Sequence, residues 1–153
     1  FNAYGPRQSA RAVIPTIISQ ALKGVKKINL GDISPTRDFN FVKDVCKGFI
    51  AIAESDNTIG KTINIGSNSE ISIGEIFNMI KKIMNSDIEI VKDKKRVRPI
   101  KSEVFRLVCD NSLIKKLTNY QPETSIEDGL KKTINWFTNP KNLKSVKADI
   151  YNV

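Results

Sequence analysis

Arg37 and Arg98 carry the side chains best suited to one definite chemistry. A guanidinium is planar, permanently charged and presents paired N–H groups, which match the oxygens of a phosphate or diphosphate. The two are far apart in the chain, and each stands at the edge of a strand or loop segment. Residue chemistry alone leaves two readings open, an anion clamp or a pair of solvated surface charges. Asn2 sits on the turn Asn2-Ala3-Tyr4-Gly5-Pro6 and reads as a turn former or a ligand contact. Asn64 alternates with Ile63 and Ile65, so it faces away from the core, toward a ligand or a strand-end hydrogen bond. Asp38 is expected to orient the neighbouring Arg37 rather than to act as a catalytic acid. Glu103 and Arg106 flank the Arg98 loop and read as a surface pair or as substrate contacts.

Other chemistries are narrowed by composition. Histidine is absent, which removes His-based metal sites and Ser-His or Cys-His nucleophile pairs from this chain. Cys46 and Cys109 lie in segments that read as buried, which suits a reducing, cytoplasmic setting better than a disulfide framework. No apolar run approaches the ~20 residues of a membrane span, so no membrane partner is expected. The net charge of +9 favours an anionic ligand. Lys92, Lys94, Lys95, Arg96 and Arg98 form a basic run, but no aromatics interleave with it to stack bases. It reads as a solvated loop, and no nucleic-acid partner is expected.

These side chains need elements to hold them. With 40% apolar and 27% charged residues, the chain is globular and long enough to bury a core. The periodicity predicts helices over Ala10–Lys23, Val42–Ala53, Ile73–Met84, Asn111–Leu117 and from Ile126 to Phe137. Pro15 is expected to make the first helix start irregularly. Ser72 and Glu75 have the spacing of a capping box, and Ser125 caps the last helix. Strands are expected at Lys27–Leu30, Arg37–Val42, Thr62–Ile65, Ile88–Val91 and Leu107–Cys109. In the second of these, Phe39 and Phe41 share one face and Asp38 and Asn40 the other, as in a half-buried strand. Phe1–Gln8 reads as a turn made to follow a strand, and the first strand of any βαβ unit is expected upstream of Phe1. The class is α/β, with mixed short strands and helices.

Several of these pieces recur together in a known family. Asn2 with Tyr4-Gly5-Pro6, Arg37-Asp38-Phe39, Asn64-Ile65-Gly66, Arg98-Pro99, Asp110-Asn111-Ser112 and the final Trp136-Phe137 resemble the extended short-chain dehydrogenase/reductases. More narrowly, the set is similar to NAD-dependent nucleotide-sugar 4,6-dehydratases and 4-epimerases. The stretch Arg98-Pro99-Ile100-Lys101-Ser102-Glu103-Val104 most resembles dehydratases of UDP-N-acetylglucosamine-type substrates.

The resemblance runs from Phe1 to about Phe137 and implies a C-terminal, substrate-binding lobe with the Rossmann core largely absent. It implies one unit at 1–138 followed by a polar tail at 139–153. It implies that Arg37 and Arg98 clamp the diphosphate of a UDP- or dTDP-sugar, and that Asn2 and Asn64 contact the diphosphate or sugar. Val13, Ile28 and Leu30 would line the nucleobase pocket. Arg11 and Ala12 depart from the Glu and Lys that many relatives carry there. The dinucleotide fingerprint and the catalytic Tyr-x-x-x-Lys lie upstream in family members; here Tyr4, Tyr120 and Tyr151 have no Lys four residues on. The implied cofactor is NAD or NADP, bound by a full-length, homodimeric enzyme. This chain would then position substrate, hold no catalytic residue or metal, and be inactive alone. A 4-epimerase fragment and a non-catalytic nucleotide- or anion-binding module are the alternative readings.

Overall fold

The computed structural model describes residues 1–97, Pro99 and 102–144. Its strands are short and fall into three small groups. Strand β1 (Asn2–Tyr4) pairs in parallel with β4 (Phe39–Phe41), Asn2 opposite Phe39 and Tyr4 opposite Phe41. Strand β2 (Lys27–Leu30) pairs in parallel with β6 (Glu89–Lys92), Ile28 opposite Ile90. In the third group β3 (Thr36–Arg37) is central, antiparallel to β5 (Ile71–Ser72) and parallel to β7 (Arg106–Leu107). Parallel neighbours need long crossovers, and helices supply them.

Helix α1 (Val13–Leu22) follows β1, and its Pro15 falls in the first turn, where a missing N–H costs nothing. Thr16 Oγ1 there donates to the carbonyls of Ala10 and Ala12. Helix α3 (Ile73–Ile83) opens on the expected capping box: Ser72 Oγ accepts the Glu75 N–H at 3.1 Å, and the Glu75 carboxylate accepts the Ser72 N–H at 2.9 Å. Helix α5 (Ile126–Thr138) starts at Ser125, whose hydroxyl accepts the Asp128 N–H. These three helices pack together against β2 and β4. Ile14, Ile17, Ile18, Ile28, Phe41, Ile76, Ile80, Leu130 and Phe137 form the centre of the core. Helices α2 (Val42–Ala53) and α4 (Ser112–Leu117) lie outside that cluster.

Several sequence expectations meet a different arrangement. The turn at Gly5 does follow a strand, but that strand is β1 of this chain. The segment expected as one strand from Arg37 is split at Asp38 into β3 and β4, and Asp38 and Asn40 are as buried as Phe41. Their polar groups are satisfied inside, which is what permits burial on both faces. Thr62–Ile65 forms no ladder among the described residues.

Cys46 is exposed, whereas Cys109 is buried as expected. Helix α2 turns the Asp44–Gly48 line inward, where the Asp44 carboxylate accepts the Thr124 N–H at 3.0 Å. Cys46, Phe49 and Ile50 consequently face out. After Asn139 the expected polar tail begins with a short helix, α6 (Pro140–Lys144), whose Leu143 packs against the core. The remainder of that tail lies outside the described residues. Among the described residues no helix is long and apolar enough to cross a membrane.

Candidate functional site

Arg37 ends β3, the middle strand of its sheet, so ladder bonds fix its backbone on both sides. The Thr36 N–H donates to Phe105 O and the Asp38 N–H to Leu107 O, each at 2.9 Å. The guanidinium donates from Nη1 to Thr36 O at 2.8 Å and from Nη2 to Glu103 Oε1 at 3.0 Å. Both side chains of that ion pair are only 12% exposed. Glu103 therefore pairs with Arg37. Arg106 instead forms a bidentate pair with Glu70, which also accepts the Thr36 hydroxyl at 2.5 Å. Those donors, Arg106 first, hold the Glu70 carboxyl below its ordinary range.

Asp38 does something other than orient Arg37. Its fully buried carboxylate accepts the Ser67 hydroxyl (2.6 Å), the Ser67 N–H (3.2 Å), the Asn68 N–H (3.0 Å), the Asn40 amide (3.0 Å) and the Cys109 N–H (3.1 Å). One carboxylate thus ties the end of β3 to the loop after Asn64 and to the segment after β7. Asn111 adds a second tie, donating from its amide to Gly66 O at 2.8 Å. Gly66 is required by this closeness, since a Cβ there would stand 2.3 Å from Cys109 Cβ and 3.0 Å from Asp38 Oδ2. Burial, then the Asp38 charge, pushes the Cys109 thiol up to about 11.

The other expected contacts divide around this knot. The Asn2 N–H donates to Asp38 O at 3.2 Å, so Asn2, half-buried, begins beside it. Asn64 is exposed and lies three residues before the bound Ser67. The segments that carry Asn2, Arg37 and Asn64 therefore meet at one residue, Asp38: the Asn2 segment at its main-chain carbonyl and the loop after Asn64 at its buried carboxylate. Val13 is half-buried at the start of α1, while the side chains of Ile28 and Leu30 lie in the core. Arg98 lies outside the described residues. Its loop leaves β6 across the end of β2: the Asp93 N–H donates to Leu30 O at 2.8 Å, and a Cβ on Gly31 would stand 2.3 Å from Arg96 O.

Sequence reasoning missed the Asp38 knot and the Arg37–Glu103 pair. Both join residues far apart in the chain, with separations of 71 from Asp38 to Cys109 and 66 from Arg37 to Glu103. The available signal was the run of short donors, Ser67-Asn68-Ser69, directly after Gly66.

Residues 1–133 match the sequence family described as GDP-mannose 4,6 dehydratase. A UDP-N-acetyl-alpha-D-glucosaminuronate decarboxylase of Bacillus cytotoxicus is 36% identical over 147 residues, which cover 93% of this chain and 46% of that protein. Among solved structures, an epimerase of Methanothermobacter thermautotrophicus matches with a TM-score of 0.85 at 29% identity, over 95% of this chain and 44% of that one. The UDP-glucuronic acid 4-epimerase of Bacillus cereus, solved with UDP-glucuronic acid and NAD, matches with a TM-score of 0.80 at 31% identity, over 90% of this chain and 43% of that one. The chain spans less than half the length of the relatives it matches.

A dinucleotide's pyrophosphate is held at a glycine-rich turn between a strand and a helix. Here β4 runs directly into α2, with Phe41 in the N-cap position. The loop from β1 to α1 has Gly5 as its one glycine and places Arg7 at φ 69°. Neither junction is a glycine-rich turn of that kind. The ordered motifs, the match across residues 1–133 and the shared fold establish that this chain belongs to the NAD-dependent nucleotide-sugar epimerase/dehydratase family of extended short-chain dehydrogenase/reductases.

Proposed function

We propose that this chain is the C-terminal, substrate-binding part (1–138) of a nucleotide-sugar 4,6-dehydratase, and that it holds the diphosphate of a UDP- or dTDP-sugar. The observation that carries the reading is the convergence of the Asn2, Arg37 and Asn64 segments on Asp38. Arg37 supplies a fixed positive charge on a central strand, and each charge-assisted bond to phosphate contributes roughly 1.5–3 kcal/mol. Arg98 is the proposed second arm of the clamp. Asn2 and Asn64 offer both a donor and an acceptor to the diphosphate or sugar. The base is proposed to lie near Val13 and β2, where Ile28 and Leu30 back the strand from the core. NAD or NADP belongs to the remainder of the enzyme, and this chain's part is to bind and orient the sugar nucleotide.

The dehydratase reading rests on the family description and on the Arg98–Val104 motif. A second reading, 4-epimerase, is favoured by the likeness to the Bacillus cereus UDP-glucuronic acid 4-epimerase. Both readings require the same diphosphate site. Calorimetric titration of the chain with UDP and with uridine tests it. UDP is expected to bind and uridine to bind at least about tenfold more weakly, with Arg37→Ala weakening UDP by about 10- to 100-fold. Equal affinities for UDP and uridine, or an unchanged Arg37→Ala variant, would contradict the reading.

A further inference from the structure

We infer that Glu103 is the positioning residue of the anion site, holding the Arg37 guanidinium in place before an anion arrives; this rests on the reading of Arg37 as a diphosphate ligand. Asp38, the neighbour expected to orient Arg37, has its carboxylate occupied by donors from Asn40, Ser67, Asn68 and Cys109. Glu103 takes its place, with Oε1 at 3.0 Å from Arg37 Nη2. Fold geometry delivers it there. The Ser102 N–H and hydroxyl both donate to Pro99 O, turning the chain just before β7. The parallel pairing of β7 with β3 sets Leu107 opposite Arg37, and Glu103, just before β7, meets the guanidinium through its side chain.

Burial separates this pair from an ordinary surface bridge. Arg37 and Glu103 are each 12% exposed, whereas Arg106 in the neighbouring pair with Glu70 is 74% exposed. An arginine loses much rotamer freedom when a ligand fixes it, and that loss weakens binding. With Nη1 on Thr36 O and Nη2 on Glu103, the guanidinium is fixed in advance. Among the described contacts these use two of its five N–H groups, so donors are left for an anion. Removing the Glu103 charge by itself would tighten anion binding. Weakening on truncation therefore isolates positioning from charge.

The test is a double-mutant cycle on UDP affinity, with urea midpoints recorded for every variant. Glu103→Ala is expected to weaken UDP binding by about tenfold, from loss of one fixed rotamer-rich side chain. Glu103→Gln, which keeps the acceptor, is expected to stay within about threefold of the parent. In an Arg37→Ala background Glu103→Ala is expected to bring no further weakening. Glu103→Ala binding UDP as tightly as the parent, or more tightly, or weakening it equally without Arg37, would overturn the inference. If Arg37→Ala itself leaves UDP affinity unchanged, the diphosphate reading fails. If only the Glu103 variants are silent, the positioning role alone fails.

Discussion

The Asp38 carboxylate accepts the backbone N–H of Cys109 at 3.1 Å, joining positions 71 residues apart. With the bonds from Ser67 and Asn68, it ties the strand end that carries Arg37 to two other segments. A carboxylate is suited to this because it only accepts, and all of its partners here donate.

Asp38→Asn preserves shape but turns an NH2 group toward donors that need an acceptor. Buried donors left unpaired cost about 1–3 kcal/mol each, so a loss of about 3 kcal/mol or more is expected. For a chain of this size that is a fall in Tm of roughly 6–12 °C. Thermal denaturation followed by circular dichroism measures it, and a shift under about 2 °C would remove the carboxylate from its central place.

The two cysteines are expected to differ sharply in reactivity. Cys46 is exposed on α2, whereas Cys109 is buried with its thiol pushed up to about 11. Reaction with a thiol-specific reagent at neutral pH should therefore modify Cys46 alone, with Cys109 reacting only on unfolding. Mass spectrometry of tryptic peptides reads the result, and early labelling of Cys109 would show that the site opens.

The same burial makes the fold sensitive to alkali. Cys109 is raised from 9.0 to about 11 and Tyr120 from 10.0 to about 12, each mainly by burial. Burial, with Asp44 and Asp128 nearby, raises Tyr4 as well. The unfolded chain releases these protons first, so above pH 9 it binds fewer protons than the folded chain and stability falls as pH rises. Urea midpoints should fall from pH 9 to about 11, and Cys109→Ala should flatten that stretch. An unchanged slope in the variant would assign the loss elsewhere.

Two large apolar side chains on helices should respond oppositely to truncation. Ile76 of α3 is fully buried, so Ile76→Ala is expected to cost about 2–5 kcal/mol. Phe49 of α2 is 63% exposed, and Phe49→Ser is expected to fall within about 0.5 kcal/mol of the parent. Urea denaturation of both variants checks the contrast. A large loss from Phe49→Ser would mean that α2 packs on that face.

What the sequence made legible was local. The capping box at Ser72 and Glu75 needs residues three apart, and its chemistry reads directly from residue type. The apolar stripes of α1, α3 and α5 likewise gave the core, because each stripe faces the other two helices. The stripe of α2 misled: Asp44 and Gly48 turn inward for a backbone donor and for close packing, and that choice belongs to Thr124, Ile65 and Tyr120. Thr62–Ile65 alternates as a strand does, but a strand also needs a neighbour, which alternation cannot supply. At the site, Arg37 stood out by its chemistry. Glu103 and Asp38 could not be assigned, because which acid faces an arginine depends on the β3–β7 pairing.

The most direct test of the central claim is to follow the Arg37 side-chain Nε–H signal by NMR while titrating the labelled chain with UDP. This signal is expected to shift and saturate with the UDP affinity measured by calorimetry, together with the amides of Ser67 and Asn68. UDP binding that leaves the Arg37 signal unmoved, or no binding at all, would contradict it.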